Sequence, residues 1–325
     1  MTRPMKAAVR ERYGPPDVVR VTDVRKPLAG DGELLVKVHA TTVNRTDCAL
    51  RAAKPFFWRL STGLRRPRTA VIGSEFAGEV EAVGAGVTAF RPGDRVFGYD
   101  DAGWGAHAEY LTISQHGTLA AIPERLSYEQ AAPGLEGSHY ALTIIEGAGV
   151  RSGHDVLVNG ATGAIGSAAV QLLAHRGARV TAVCETAHAD LVRGLGADRV
   201  IDHTTEDFTA HGGHYDAVID AVGKSTYARC RRLLKSRGCY IASDLGPLWQ
   251  NPFLALAGPL LGGRRVKFPL PRNDAATARH FAELMASGAF LPVIDRRYPL
   301  DDIVEAYRYV ETGRKIGNVV ITVTP

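Results

Sequence analysis

The stretch Asp155-Val156-Leu157-Val158-Asn159-Gly160-Ala161-Thr162-Gly163-Ala164-Ile165-Gly166 decides the fold of this chain. A short apolar strand runs into glycines at 160, 163 and 166, and a helix-periodic segment with Ala168, Ala169, Leu172 and Leu173 follows at once. A dinucleotide site needs this arrangement. The first glycine permits a tight strand-to-helix turn, the second lets backbone approach a pyrophosphate, and the third lets the helix pack close to the sheet. The helix N-terminus supplies free N–H groups and a positive dipole end. The spacing is G-x-x-G-x-x-G rather than G-x-G-x-x-G, so the strand before it and the helix after it carry the assignment. The expected cofactor contacts are Gly160, Ala161, Thr162, Gly163, Ala164, Ile165 and Gly166.

Outward from this turn the pattern alternates. Residues 178–184 form a second strand candidate with Glu185 at its end. An acid about 20 residues past the glycines is where a Rossmann unit meets the adenosine ribose hydroxyls. A carboxylate there repels a 2′-phosphate, so Glu185 tilts the expectation toward NAD(H). Strands are expected at 199–202, 217–223 and 239–244, with helices at 187–195 and 225–235. Alternating elements of this length predict a doubly wound parallel sheet.

The first third reads differently. Residues 33–40, 78–84 and 95–98 form short alternating strands, separated by turns such as Gly30-Asp31-Gly32 and Arg91-Pro92-Gly93-Asp94. This patterning predicts a small, largely antiparallel β domain. A helix near 301–312 and a strand at 318–323 return to that style, so the nucleotide domain reads as an insertion. The expected division is 1–124, 125–267 and a return segment 268–325.

The 325 residues leave room for two domains. The composition, 45% apolar and 22% charged with a formal charge of +5, is that of an ordinary globular protein. No aromatic-interleaved basic motif marks nucleic-acid binding, and the N-terminus lacks the apolar core of a signal peptide. The apolar run 252–261 is too short and too proline-broken to span a bilayer. It reads either as buried core or as part of a subunit interface. Four cysteines, at 48, 184, 230 and 239, have no zinc-finger spacing and suggest no disulfide framework, so a reducing, cytoplasmic location is expected. Arg59, Arg65, Arg66 and Arg68 crowd one segment. They read as a solvated basic loop or as an attractor for an anionic substrate or cofactor phosphates.

Several runs carry a family resemblance: Val43-Asn44-Arg45-Thr46-Asp47, Gly73-Ser74-Glu75-Phe76-Ala77-Gly78-Glu79-Val80, Gly93-Asp94-Arg95-Val96, Ala108-Glu109-Tyr110, the glycine motif, and Leu195-Gly196-Ala197-Asp198-Arg199-Val200-Ile201-Asp202. In this order they resemble the medium-chain dehydrogenase/reductase superfamily along nearly the whole chain, and most of all its zinc-free quinone and enone reductases. The resemblance implies an α/β protein with a GroES-like β domain, a Rossmann domain and an active site between them. It also implies a homodimer. Zinc-dependent members place a cysteine, a histidine and a third ligand where this chain has Asn44, Ser74 and Gly134. None of these three is a zinc ligand, so no metal is expected. Without a Lewis acid, hydride transfer suits acceptors that are already electron-poor, namely quinones and α,β-unsaturated carbonyls.

The resemblance sets Asn44 beside nicotinamide and substrate, Thr46 facing the substrate or the cofactor ribose, and Ser138 along the nicotinamide. His139 or Tyr140, in the polar run Glu136-Gly137-Ser138-His139-Tyr140, is a candidate proton donor. Gly223, Asp244 and Leu245, at strand C-termini, should border the cofactor. Pro55-Phe56-Phe57-Trp58-Arg59-Leu60 reads as a cover for the substrate cleft or as core packing. Relatives that use NADP carry a hydroxyl and then a basic residue where this chain has Glu185 and Ala187, so the resemblance implies NADPH while the local charge favours NADH. The expected activity is zinc-independent, NAD(P)H-dependent reduction of a small-molecule quinone or activated carbonyl. The alternatives are an alcohol dehydrogenase and a non-catalytic, crystallin-like dinucleotide binder.

Overall fold

The computed structural model describes residues 4–257 and 263–323. The chain divides into two compact units. The first takes the chain up to Glu136, then Asn273–Ser287 and everything from Leu291 on; the second takes Gly137–Arg272 and Gly288–Phe290. These divisions fall later than the expected 124/125 and 267/268. The segment ending at Gly134 packs on strands of the first unit and stays with it.

The first unit opens with β1 (Pro4–Arg10), β2 (Val19–Arg25) and β3 (Glu33–Val43), followed by helices α1 (Arg45–Ala52) and α2 (Trp58–Thr62). Then come β4 (Glu75–Val83), β5 (Arg95–Tyr99), β6 (Tyr110–Ser114), β7 (Thr118–Ala121) and α3 (Tyr128–Ala131). Helix α4 (Glu136–Ala148) carries the chain onward. The second unit holds β8 (Asp155–Asn159), α5 (Ala164–His175), β9 (Arg179–Cys184), α6 (Ala189–Gly194), β10 (Arg199–Asp202), β11 (Tyr215–Asp220), α7 (Tyr227–Cys230), β12 (Leu234–Ala242), α8 (Gln250–Leu256) and β13 (Arg265–Lys267). The return segment adds α9 (Ala275–Ser287), β14 (Ile294–Pro299), α10 (Ile303–Glu311) and β15 (Asn318–Thr322).

In the first unit β1 and β2 pair antiparallel, and a seven-stranded sheet runs β14-β15-β3-β4-β5-β7 with β6 also on β3. Strand β3 is the hinge of this layout. One of its edges pairs with β4, while the other is shared by β6 over its first half and β15 over its second. The end of the chain therefore completes the sheet begun near its start. Helix α10 packs on that seam through Ile303, Ala306, Tyr307 and Val310, a three-four spacing that puts all four on one face.

The second unit is a six-stranded, all-parallel sheet in the order β10-β9-β8-β11-β12-β13. The chain starts at the centre, moves outward through β9 and β10, then crosses to β11 and continues the other way. This is the doubly wound order, and its switch point lies between β8 and β11. Strands covered on both faces carry unbroken apolar runs, as Val156, Leu157 and Val158 do at zero exposure. The helix expected at 225–235 is a correction: α7 ends at Cys230, one 3-10 turn follows, and Leu234 already pairs with Tyr215 as strand. Burial of Leu233 and Leu234 against the core outweighs helix propensity there, and Ser236 and Gly238 favour extended chain. Among the described residues no helix is long and apolar enough to cross a membrane.

Candidate functional site

In the second unit the site is built from backbone. Gly160 ends β8 at φ +78°, a left-handed conformation that any side chain would strain, and an added Cβ would lie 2.7 Å from Val222. Gly166 answers a different need: its Cβ would stand 2.0 Å from the Gly160 carbonyl oxygen, so helix and turn approach this closely only with glycine. Gly163 is the N-cap of α5, and no side chain caps the helix. A Cβ there would meet nothing of the chain nearer than 3.7 Å. The cradle is thus tight against the protein at Gly160 and Gly166 and open at Gly163, with the first helical N–H groups left for an anion. Ala161 is buried and donates its N–H to the Val183 carbonyl, while Thr162, Ala164 and Ile165 are partly exposed along the rim.

The neighbouring strand ends converge on this turn. Gly223 has φ +68°, and its Cβ would fall 2.4 Å from the Asp244 carboxylate. Asp244 and the partly buried Leu245 follow β12, and Asn251 holds the Asp244 carbonyl at 2.9 Å. Burial and the charge of Asp220 push the Asp244 carboxyl upward. Glu185 is exposed at the end of β9. Beside it, Thr186 donates its hydroxyl and N–H to Asp202, and with Thr204 these bonds hold Asp202 down at about 2. Two carboxylates therefore stand at the ends of β9 and β10. One organiser was missed in the sequence: buried Asp220, which accepts from Asn159 Nδ2 at 3.0 Å, Gly223 N at 3.1 Å and Ser225 N at 2.8 Å. Its signal was an acid closing the apolar run Ala217-Val218-Ile219.

Ser138, His139 and Tyr140 lie on the first turns of α4. Ser138 and His139 are buried, Tyr140 is partly exposed, and the rings of His139 and Tyr140 sit 4.6 Å apart. Gly137 packs directly on Ala164, where a Cβ would meet backbone at 2.8 Å, so this turn of α4 lies against the start of α5.

In the first unit the site is built from buried polar side chains. Asn44 is the N-cap of α1: its Oδ1 accepts from Asp47 N at 2.8 Å, and Asp47 Oδ2 accepts from Asn44 N at 3.0 Å. Its Nδ2 donates to Ser74 Oγ at 3.0 Å. Oxygen and nitrogen of this amide are thereby fixed, and one amide hydrogen is left over. Thr46 donates to Glu136 Oε1 at 3.1 Å. Glu75 accepts from the backbone N–H of Leu135 at 3.1 Å and Glu136 at 2.7 Å, and from Thr42 Oγ1 at 2.7 Å.

These carboxyls are almost wholly buried. Burial first, and then the neighbouring Glu136 charge, push Glu75 up to about 8. Burial also raises Glu136, opposed by the Lys315 ammonium and the Thr46 hydrogen bond. Burial raises Asp47 well above the usual carboxylate range. His107, buried with Nε2 at 2.7 Å from the Thr42 carbonyl, is pushed down to about 4 by burial and stays neutral. Glu136 and Lys315 were not among the expected site residues. Glu136 stood in the polar run at 136–140, but nothing local to Lys315 ties it to Glu136.

Asn44, Ser74 and Gly134 supply no metal donor set. Gly134 is packed so that a Cβ would press on Phe97 at 3.0 Å and Met285 at 3.2 Å. Among the described residues no three His, Cys, Asp or Glu side chains are grouped to hold a metal. The aromatic segment expected as cover or core is not core, because Phe56 is 63% and Leu60 73% exposed.

Residues 30–124 match the alcohol dehydrogenase GroES-like domain family, and residues 195–321 match the family described as zinc-binding dehydrogenase. The chain is 30% identical to 2-methylene-furan-3-one reductase of Solanum lycopersicum, over 99% of this chain and 80% of that one. It is also 30% identical to the chloroplastic quinone-oxidoreductase QR1 of Triphysaria versicolor, over 98% of each. Among solved structures, the quinone oxidoreductase of Coxiella burnetii superposes with a TM-score of 0.89 at 27% identity, covering 99% of this chain and 100% of that one. A mycobacterial protein solved in complex with NADPH gives 0.80 at 30% identity, covering 98% and 100%.

Proposed function

The chain belongs to the medium-chain dehydrogenase/reductase superfamily, in its zinc-free quinone oxidoreductase branch, and we propose that it transfers hydride from NAD(P)H to a quinone or an α,β-unsaturated carbonyl without a metal. The observation that carries this is the open glycine cradle at Gly163 in the second unit; in the first, Asn44, Ser74 and Gly134 stand where the family resemblance puts zinc ligands. Gly160–Gly166, Gly223, Asp244 and Leu245 would hold the dinucleotide, with Ser138 beside its reactive end. The bound nicotinamide supplies the hydride. The chain's part is to orient it and to answer the charge that develops on the acceptor oxygen.

Two groups suit that second task. Asn44 is held rigidly by its cap and by Ser74, so its remaining amide hydrogen has a defined direction. Thr46 is backed by Glu136. In that role a protonated Glu136 would donate to Thr46 Oγ, reversing the hydrogen bond between them, and its proton would move to Thr46 as the Thr46 hydrogen passes to the substrate oxygen. Glu136 is left as a carboxylate opposite Lys315, to be reprotonated from solvent. Glu136 is therefore a better-supported proton source than His139 or Tyr140.

Glu185 and Asp202 together favour NADH, because a 2′-phosphate would face two carboxylates. We also assign a homodimer. Phe253, Leu256 and Leu270 are 67%, 82% and 77% exposed beside β13, the edge strand of the parallel sheet. This favours the interface reading of 252–257 over the core reading; residues 258–262 lie outside the described residues. Four free, buried thiols suit the reducing cytoplasm.

The test is to measure NADH and NADPH affinity side by side, then follow oxidation of the better one across quinones and enones. Turnover with these acceptors and none with simple ketones is expected. Tight binding without any turnover would replace the reading with that of a dinucleotide-binding protein.

A further inference from the structure

Of the arginines crowding 59–68, Arg68 lines a cavity of about 220 Å³ in the first unit, together with Arg10. Its polar lining comes from Arg10, Ser61, Thr62, Arg68 and Thr69. Arg10, at the end of β1, is 3% exposed. One guanidinium nitrogen donates to the Leu50 carbonyl, its Nε has no partner, and among the described residues no carboxylate pairs with it. A buried, unneutralised guanidinium with an idle donor is costly unless something answers it.

The surroundings add charge of the same sign. Arg59 stacks over Tyr13 at 4.9 Å and over Phe56 at 5.2 Å, and its Nε is likewise buried and unpartnered. The nearby Asp100 is turned into its own loop, where it accepts from Ala102 N at 2.9 Å and Gly103 N at 2.7 Å. Asp47 reaches Arg10 only as a weak, more distant charge, opposed by Arg51. Tyr13 fixes the wall by bonding Thr62 Oγ1 and the Gly63 carbonyl, each at 2.7 Å. The Ser61 and Thr62 hydroxyls are spent on the Trp58 carbonyl. The side-chain donors left among the lining residues are therefore the guanidinium N–H groups of Arg10 and Arg68, the Thr69 hydroxyl and the Trp104 indole N–H.

We propose that this cavity binds a small oxyanion, a carboxylate or a phosphate group, between Arg10 and Arg68. The proposal does not rest on the hydride-transfer reading. Planar forks of N–H donors match both oxyanions, and a cavity offering donors without a free acid selects against cations.

The test uses the whole protein, with NAD(P)H present so that the glycine cradle is filled. Inorganic phosphate, acetate and chloride are titrated calorimetrically at equal ionic strength. Saturable one-to-one binding of phosphate or acetate, but not of chloride, is expected. Whichever of the two binds identifies the group, tetrahedral or planar. Arg68→Gln, an exposed position that should leave folding intact, should weaken that binding about tenfold or more, the worth of a charged hydrogen bond. Arg10→Lys keeps the charge but loses the fork and should weaken it too; should that variant fail to fold, Arg68→Gln decides alone. Absence of saturable binding by either oxyanion, or equal affinity in wild type and Arg68→Gln, overturns the proposal.

Discussion

The two units solve the problem of making a site in opposite ways. In the parallel sheet, the candidate cofactor groups are mostly main chain: Gly160, Gly163, Gly166 and Gly223 at strand ends, with one buried acid, Asp220, tying the loops together. In the antiparallel unit, the groups are side chains buried together, with Asp47, Glu75, Glu136, Arg10, Arg51 and His107 all below a tenth exposed. A main-chain site tolerates no added atom where its glycines press on the protein, as at Gly160 and Gly166, but its main-chain groups do not titrate. A buried-charge site tolerates isosteric change but responds to every proton. The parallel unit is therefore fragile to added volume and the antiparallel unit to a change of protonation.

The largest expected effect breaks the main-chain side. Gly166→Val places side-chain carbon on the Gly160 carbonyl and should destabilise by more than about 3 kcal/mol, or abolish folding. Gly163→Ala has room within the chain and should leave the melting temperature nearly unchanged while weakening NAD(P)H binding. Thermal melts and cofactor titrations on the pair distinguish packing from ligand approach; equal melting losses for both would remove that distinction.

On the buried-charge side, Glu136→Gln should cut turnover about a hundredfold by removing the proton source, with cofactor affinity unchanged. Steady-state kinetics read it directly, and undiminished turnover would return the role to His139 or Tyr140.

Glu75→Gln sharpens the comparison through pH. The folded-state value of about 8 lies above the ordinary 4.5, so the wild type is favoured below pH 4.5 and loses stability as pH rises toward 8. The loss from this one group approaches about 1.4 kcal/mol per pH unit in that window. The glutamine keeps the Leu135 and Glu136 N–H bonds and should flatten the difference, ending more stable than wild type above pH 8. Urea unfolding at pH 5 and pH 8.5 checks it, and parallel pH slopes for the two proteins would contradict it.

The smallest effect separates cap from donor at Asn44. Asn44→Ala loses the helix cap and should cost about 1 kcal/mol, whereas Asn44→Ser keeps a cap and should cost only a few tenths. Both lose the amide hydrogen. A common drop in turnover despite unequal melting temperatures is expected; turnover that tracks melting temperature would leave Asn44 as a cap alone.

The same contrast explains what the sequence made legible. The glycine turn could be read because strand, turn and helix are contiguous, and so could the doubly wound order, because it follows from alternation. The pairing of Thr46 with Glu136 joins residues far apart in the chain, and Lys315 faces Glu136 from the last segment. No local pattern encodes such meetings. The helix expected at 225–235 failed for a related reason. Its apolar residues, Leu233 and Leu234, answer to the core and to Tyr215 rather than to a helical face. The arginines at 59–68 were visible as a charge run, but only the fold brings Arg10 to one of them, Arg68, across a shared cavity.

The most direct test of the central claim is the rate of NAD(P)H oxidation by a simple benzoquinone, measured on chelator-dialysed protein whose zinc content is determined in the same sample. Full turnover at substoichiometric zinc is expected, with no gain on adding zinc. Activity that disappears with the metal and returns in proportion to zinc bound would contradict it.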